Sequence, residues 1–354
     1  MSILEDTLAA IEAPDPEAAR SAAVRLDSLT KPRGSLGYLE EIARRYAAIR
    51  HDPLAASGRG AIAVFVADHG IAEAGISAYP KAVTVEMLRN IGAGGAAISV
   101  LARRFGYELI VTDVGVETDT SATPFAGVRY RRVAAGTRNF LAGPAMTDAQ
   151  VRLAIEIGIE TARQAAASGA TLLGIGEMGI GNSTSAAAIL ATVTGIDPSR
   201  IAGRGTGVDD RALAHKVEVV ETALRVHRAL LGAGLSMLAA IGGLEIAAMA
   251  GACLGAAAAR VPVVVDGFIA TAAAAAAERI RPGICELMMF GHRSAEGGHA
   301  LALQAMGVRP ILDLDMRLGE GTGAAIAMSI IQSALALFHE MATFESAGVS
   351  EKLV

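Results

Sequence analysis

The most informative stretch of the sequence is Thr171-Leu172-Leu173-Gly174-Ile175-Gly176-Glu177-Met178-Gly179-Ile180-Gly181-Asn182-Ser183-Thr184-Ser185. The apolar run that reaches Ile175 is typical of a buried strand. The glycines that follow predict a tight loop. Asn182, Ser183 and Thr184 are residue types that favour the first positions of a helix. The stretch therefore predicts a strand, a glycine loop and the start of a helix, in that order.

Similar short apolar runs recur along the chain, and helical stretches lie between most of them. Strands are predicted at 61–67, 108–113, 171–175, 261–265, 285–290 and 310–314, and helices at 82–105, 148–168, 185–193, 211–231, 243–259 and 270–279. This alternation predicts an α/β fold, a parallel sheet covered by helices on both faces. In such folds ligands bind beyond the carboxyl ends of the strands.

Both ends of the chain are helical by the same criterion. Helices are predicted at 16–28 and 37–50, with a loop at 29–37 that contains a proline and two glycines, and a last apolar helix is predicted at 324–338. We therefore predict two domains. Residues 1–60 together with 324–354 form a small helical domain, and residues 61–323 form a large α/β catalytic domain.

Composition excludes several classes of protein. The 354 residues carry a net charge of −5, contain no tryptophan and are only 4% aromatic, which argues against a nucleic-acid partner. The two cysteines, Cys253 and Cys285, lie in apolar stretches, which predicts buried free thiols in a reducing cytosol. The first residues have no basic start followed by an apolar run, so no signal peptide and a cytoplasmic location are predicted.

The apolar stretch 230–259 raises the question of a membrane span. Glu245 divides it into halves that are each shorter than the roughly 18 apolar residues a span needs. An acidic residue at the centre of a span costs about 2.5–3.5 kcal/mol on insertion scales. A buried helix pair without a membrane span is therefore predicted.

The Glu177 loop allows two interpretations. Its polar residues could simply cap the following helix. Four glycines in eight residues are more than a cap needs and favour phosphate or ribose binding, because glycine lets backbone amides approach a ligand closely. The loop is neither a Walker motif, since no GK[ST] follows, nor a dinucleotide fingerprint, since Glu177 stands where the pyrophosphate would lie.

A second glycine loop, at 203–207, precedes a helix that carries Lys216. This lysine could meet a phosphate or lie solvated on the helix face, and its spacing leaves both interpretations open. The segments around Asp68-His69-Gly70 and 291–299 match no standard zinc pattern, so structural or substrate-positioning roles are predicted for them and no metal site.

Glu320 lies between glycines in Gly319-Glu320-Gly321-Thr322-Gly323. It could be an exposed residue of a turn, where acids favour the dipole of the following helix. The apolar run at 310–314 instead places it near the end of a strand, in the expected cleft. A partly desolvated glutamate there would have a raised pKa and would make a useful general base.

The order and spacing of these motifs resemble the nicotinate-nucleotide–dimethylbenzimidazole phosphoribosyltransferase family nearly end to end. The motifs are KPRGSLG at 31–37, ADHG at 67–70, GEMGIGN at 176–182, GRGTG at 203–207, VDGF at 265–268, GHRS at 291–294 and RLGEGTG at 317–323. The resemblance implies a Rossmann-like parallel sheet, a small helical domain from both chain ends and a homodimer.

The resemblance also implies the reaction and its residues. Nicotinate mononucleotide and dimethylbenzimidazole would react to α-ribazole phosphate and nicotinate, with inversion at the anomeric carbon and without a cofactor or metal. Glu320 would be the general base, and residues 77–87 would line the benzimidazole pocket. The implied substrate-binding residues are Tyr79, Met87, Glu177, Gly179, Asn182, Gly205, Lys216, Asp266, Ser294 and Leu318.

Tyr79 and Met87 depart from the family, since other members place serine and glutamine there. This departure leaves room for a related phosphoribosyltransferase that uses another base, such as adenine or a different benzimidazole. A non-enzymatic nucleotide-binding protein is the third hypothesis.

Overall fold

The computed structural model describes residues 2–205 and 207–350. Met1, Thr206 in the second glycine loop and residues 351–354 at the end of the predicted small domain lie outside the described residues.

The described residues form one parallel sheet of seven strands in the order β3-β2-β1-β4-β5-β6-β7. The strands are β1 (Arg59–Ala67), β2 (Glu108–Gly115), β3 (Val128–Tyr130), β4 (Ala170–Met178), β5 (Val263–Val265), β6 (Met288–His292) and β7 (Pro310–Leu312). Eight of the nine residues of β1 are buried, and seven of nine in β4. Because successive side chains point to opposite faces of a sheet, helices must cover both faces. The predicted α/β fold is confirmed.

The helices follow the predicted alternation. They are α1 (Ile3–Ala10), α2 (Pro16–Ser28), α3 (Tyr38–Arg50), α4 (Val83–Gly92), α5 (Ala97–Phe105), α6 (Asp148–Ala167), α7 (Asn182–Thr194), α8 (Pro198–Ile201), α9 (Asp210–Val226), α10 (Gly234–Ile241), α11 (Leu244–Ala258), α12 (Phe268–Ile280), α13 (His299–Ala305), α14 (Thr322–Glu340) and α15 (Phe344–Ala347).

The structure corrects several predicted bounds. The single helix predicted at 82–105 is two helices, α4 and α5, because the chain turns at Gly94 with φ +88°. The strand predicted at 285–290 begins only at Met288, after a 3-10 turn at Ile284–Leu287. Strand β3 was not predicted, since its three residues lie at the edge of the sheet and none is fully buried. Cys253 is buried as predicted, but Cys285 is only partly buried.

The apolar stretch at 230–259 forms the buried helices α10 and α11, as predicted. Helix α11 packs closely on α6: a Cβ at Gly158 would lie 1.8 Å from the carbonyl oxygen of Ala248. By length and composition alone, α14 could cross a membrane, but 56% of its most apolar window is buried inside the protein. It packs against β6 and α3, and core helices commonly have such a composition.

The two chain ends meet, as the two-domain prediction requires. Arg25 in α2 donates hydrogen bonds to the carbonyl oxygens of Phe338 (2.9 Å) and His339 (3.0 Å). Leu29 forms an antiparallel bridge with Thr343. Helix α1 instead reaches the larger unit, where Arg163 of α6 donates to Thr7 Oγ1 at 2.8 Å. The division into two domains stays a prediction.

Candidate active site

The strand order changes direction between β1 and β4. From β1 the chain adds β2 and β3 on one side, and from β4 it adds the remaining strands on the other. Ligands of open α/β sheets bind at this point, beyond the carboxyl ends of the strands. A cavity of about 440 Å³ opens there. Residues that line it include Val83, Met178, Ile180, Ser183, Phe268, His292, Glu296 and Arg317.

The structure brings ten of the eleven predicted site residues to this cavity. They are Tyr79, Met87, Glu177, Gly179, Asn182, Gly205, Asp266, Ser294, Leu318 and Glu320. The exception is Lys216, which lies behind the cavity wall and donates a hydrogen bond to Ser183 at 2.9 Å. The individual roles of these residues stay predictions.

Glu320 is held in an unusual backbone conformation. Gly319, Glu320 and Gly321 have φ angles of +88°, +63° and +86°, and only glycine adopts this region at little cost. The Glu320 side chain is 4% exposed, so the exposed-turn interpretation is wrong. Its Oε2 accepts a long hydrogen bond from the Ile98 amide at 3.5 Å. Burial raises the pKa of the Glu320 carboxyl, and the Ile98 amide partly opposes that rise.

Asp266 fixes the loop that carries Glu320. Its Oδ2 accepts from the Gly321 amide at 3.2 Å and its Oδ1 from the Ala324 amide at 2.8 Å, so it caps the start of α14 from the end of β5. Burial raises the pKa of the Asp266 carboxyl, while His292, 3.8 Å away, and the loop amides oppose the rise. This capping was not predicted, because 55 residues separate the two partners.

Glu177 lies at the end of β4, next to the Glu320 loop. Its carbonyl oxygen accepts from the Glu320 amide at 3.2 Å, and its carboxyl accepts from the Asn182 side chain. Asn182 does not cap α7: it is the first residue of the helix, and the N-cap residue is Gly181, which has no side chain. The helix-capping interpretation of this loop is therefore wrong for Asn182.

Burial raises the pKa of Glu177 to about 8, and the nearby carboxylates of Glu245, Asp266 and Glu320 add to the rise against the Asn182 hydrogen bond. At neutral pH this carboxyl is mostly protonated. A neutral side chain does not repel an anionic ligand, which removes the objection to a glutamate in an anion-binding loop.

A buried cation lies behind the second glycine loop. Lys216 is 1% exposed, so the solvated interpretation is wrong, and its Nζ also donates to the carbonyl oxygen of Gly203 at 3.0 Å. Burial lowers the pKa of Lys216 to about 8, and Glu296 partly opposes this. Glu296 Oε1 accepts from the Gly205 amide at 2.7 Å. The second glycine loop thus lies between a buried cation and a carboxylate.

The mouth of the cavity is apolar. Tyr79 and Leu318 are 54% and 59% exposed there, and Met87, Met178 and Phe268 continue the lining inward. Apolar side chains of this kind favour contact with an apolar part of a ligand, and the Glu320 carboxyl lines the same cavity.

Comparison with known proteins supports the sequence motifs. The phosphoribosyltransferase family described as DBI_PRT matches residues 11–349. A relative from Geotalea uraniireducens, named nicotinate-nucleotide–dimethylbenzimidazole phosphoribosyltransferase, is 48% identical over 351 residues and covers 99% of both chains. One of the same name from Chloroflexus aurantiacus is 49% identical and covers both chains completely. The chain belongs to this family.

The solved structures agree. The crystal structure of CobT from Thermus thermophilus superposes with a TM-score of 0.90 at 45% identity, covering 95% of this chain and 100% of that one. The phosphoribosyltransferase family and its Rossmann-like sheet are therefore confirmed for this chain, and the protein is an enzyme of the pentosyltransferase class.

Several residues that line the cavity of this phosphoribosyltransferase were not predicted from the sequence. His292 and Glu296 lie in the segment 291–299, for which a structural or substrate-positioning role was predicted without either residue being singled out, and Ser183 was considered only as a helix cap. Met178, the residue after Glu177, has no feature in the sequence that indicates a role in the site. Among the described residues no group of three or more histidine, cysteine or acidic side chains is placed to hold a metal ion.

The buried Glu177 gives a prediction for stability. Its pKa in the folded protein, about 8, lies above the ordinary 4.5, so folding disfavours the ionised form. The folded state then binds more protons than the unfolded state between these values, and stability falls as pH rises through this window. Glu177→Gln removes that loss and keeps an acceptor for Asn182. We expect it to raise the free energy of unfolding by about 4 kcal/mol at pH 8 and by less than about 1 kcal/mol at pH 4.5.

Urea unfolding at the two pH values measures this difference. The matched control is Glu286→Gln, since Glu286 is exposed. Equal effects of Glu177→Gln at both pH values would show that Glu177 is ionised in the folded enzyme.

Proposed function

We propose that the enzyme transfers the phosphoribosyl group of nicotinate mononucleotide to 5,6-dimethylbenzimidazole. The products are α-ribazole phosphate, which supplies the lower ligand of cobalamin, and nicotinate. The observation that carries the proposal is that the buried Glu320 carboxyl lines one cavity together with the apolar residues of its mouth and with Gly205, whose loop the buried Lys216 contacts. The names of the relatives support the same substrates.

Glu320 is the general base of this reaction. One benzimidazole nitrogen attacks C1 of the ribose as the bond from C1 to the pyridinium nitrogen breaks, and the bonding electrons leave with nicotinate. The other ring N–H would leave the product cationic unless it loses its proton, and Glu320 accepts that proton. Attack on the face opposite the leaving group converts a β-glycosidic bond into an α-glycosidic bond. The leaving group starts positively charged, so its departure needs no metal.

The cavity offers a place for each part of the donor. The Lys216–Ser183 pair, beside the second glycine loop, and Ser294 suit the phosphate. Glu177, Gly179 and Asn182 suit the ribose. General base catalysis contributes about 10²–10⁴-fold, so positioning of the two substrates supplies much of the remaining acceleration.

The identity of the base that accepts the phosphoribosyl group depends on two residues at the mouth of the cavity. Tyr79 and Met87 both line the mouth, where other family members are expected to carry smaller or more polar side chains. A phenol and a thioether enlarge the apolar contact and change the hydrogen bonds available to the ring. The alternative function is therefore transfer to another lower-ligand base, such as adenine or a different benzimidazole.

We also propose that the enzyme is a cytoplasmic homodimer that needs neither a cofactor nor a metal. The sequence resemblance supports this assembly, and the net charge of −5 supports a small-molecule substrate instead of nucleic acid.

A panel of bases tests the proposed function. Nicotinate release from nicotinate mononucleotide is measured with dimethylbenzimidazole, other benzimidazoles, adenine and phenols. We expect the largest kcat/KM with dimethylbenzimidazole, whereas a larger value with adenine would support the alternative base. Binding of the nucleotide without nicotinate release in the presence of any base would support a non-enzymatic role and overturn the proposal.

A further inference from the structure

A buried histidine–glutamate pair lies beneath the Glu177 loop, and the reaction described above does not use it. His69 follows β1 and Glu245 stands in the first turn of α11, and both side chains are 0% exposed. His69 Nε2 lies 2.6 Å from Glu245 Oε1. The other ring nitrogen, Nδ1, lies 3.2 Å from Ser185 Oγ at the start of α7. The pair therefore joins three elements that meet below the cavity.

The pair packs directly against the turn formed by residues 179–182, here called the nucleotide turn. A Cβ at Gly179 would lie 3.5 Å from Glu245 Oε1, and a Cβ at Gly181 would lie 3.4 Å from the Cβ of His69. From the other side, a Cβ at Gly243 would lie 2.3 Å from His69 Cε1. The distances at Gly179 and Gly181 are those of van der Waals contact, so the pair lies directly against the nucleotide turn.

Glu245 is also placed to act on Glu177. Its Oε2 is buried and has no hydrogen-bond partner among the described residues, which is a costly arrangement for a carboxylate. The groups that act on the Glu177 carboxyl come from four elements. They are Glu245 at the start of α11, Asp266 after β5, Glu320 before α14 and the Asn182 amide in α7.

A Cβ at Gly179 would lie 3.5 Å both from Glu245 Oε1 and from Asn182 Nδ2, the atom that donates to Glu177, so only the turn separates the two glutamates. We propose that His69 and Glu245 are positioning residues of the nucleotide half of the site: they support the nucleotide turn from beneath and favour a Glu177 side chain that donates a hydrogen bond to the nucleotide. This inference rests on the proposed function, because it concerns binding of a phosphorylated ribose donor. A protonated Glu177 donates a hydrogen bond to a ribose hydroxyl and does not repel the phosphate. An ionised Glu177 cannot donate this hydrogen bond, and its negative charge would repel the phosphate.

Glu245→Gln separates the charge from the packing. Glutamine keeps the shape of the side chain and an acceptor for His69, but it carries no charge. Glu245 makes the largest charged contribution to the raised pKa of Glu177. If the loss of the charge lowers that pKa by about one unit, the KM for nicotinate mononucleotide rises about fivefold at pH 8 and less than about 1.2-fold at pH 6. The kcat stays within about twofold, since Glu320 is unchanged.

Ser185→Ala is the matched control, because it removes a contact of His69 without changing a charge. It is expected to leave the pH dependence of KM unchanged. Lys216 also titrates near pH 8, but it does so equally in the variant and the parent. A KM that rises by the same factor at both pH values would indicate only a packing role and would overturn the proposal.

Proton uptake tests the same inference if Glu245→Gln does not fold. Calorimetric titration with nicotinate mononucleotide, in buffers of different ionisation enthalpy, counts the protons taken up on binding. At pH 8 the unaltered enzyme should take up about half a proton more than Glu177→Gln, and at pH 6 the two should agree. Equal uptake at pH 8 would contradict the inference. Absence of nucleotide binding to the unaltered enzyme would instead contradict the proposed function.

Discussion

Replacement of Glu320 by glutamine is expected to lower kcat about 10²–10⁴-fold and to change the KM for nicotinate mononucleotide by less than about threefold. Glutamine has nearly the same shape and keeps the backbone contacts of the loop, including the Gly321 amide bond to Asp266. It cannot accept the proton that the attacking benzimidazole must lose. The loss should therefore fall on the chemical step and not on binding of the donor.

The pH profile identifies the base more directly than the size of the loss. A base acts in its ionised form, and burial raises the pKa of the Glu320 carboxyl. The kcat of the unaltered enzyme should rise with pH through a value above the ordinary 4.5 of glutamate, and that rise should be missing in Glu320→Gln. Glu340→Gln is the matched control, since it makes the same change at the exposed far end of α14. A variant with half of the parent rate and an unchanged profile would exclude Glu320 as the base.

Local sequence predicted the frame of this site well. Strand–helix alternation placed the carboxyl ends of β1, β4 and β5 at one edge of the sheet, and the glycine clusters marked the loops that follow. The spacing of apolar residues and the presence of turn residues are local properties, so a single sequence can show them. For the same reason Glu177 and Glu320 were recognised as residues of one cleft.

The contacts that set the chemistry of the site were not predictable in this way. His69 and Glu245 are 176 positions apart, and nothing in either neighbourhood indicates the other. The burial of Lys216 is decided by the packing of α9 on α7, since its own helix would leave it equally suited to solvent. The raised pKa of Glu177 follows first from its burial and then from three carboxylates that only the folded chain brings near it. Tertiary contacts of this kind are absent from local patterns.

A methyl group at Gly176 is expected to lower kcat about 10²-fold and to destabilise the enzyme by about 1–3 kcal/mol. Gly176 lies in β4 and faces the start of α14. A Cβ there would lie 2.3 Å from the Gly321 amide nitrogen and 2.5 Å from the carbonyl carbon of Glu320. These are backbone atoms, which cannot rotate away as a side chain can. The Glu320 loop must therefore shift, and the base moves with it.

Gly174→Ala is the matched control for Gly176→Ala, because Gly174 lies two residues earlier and faces the same side of β4. A Cβ there would meet only side chains, the nearest being Met328 Sδ at 3.1 Å. Both variants should keep the circular dichroism of the parent at 25 °C, and only Gly176→Ala should lose the chemical step. Equal kcat values in the two variants would mean that catalysis tolerates a displaced Glu320. The exact position of Glu320 would then not limit the rate, and the loss of kcat in Glu320→Gln would have to come from the missing carboxylate and not from a shifted loop.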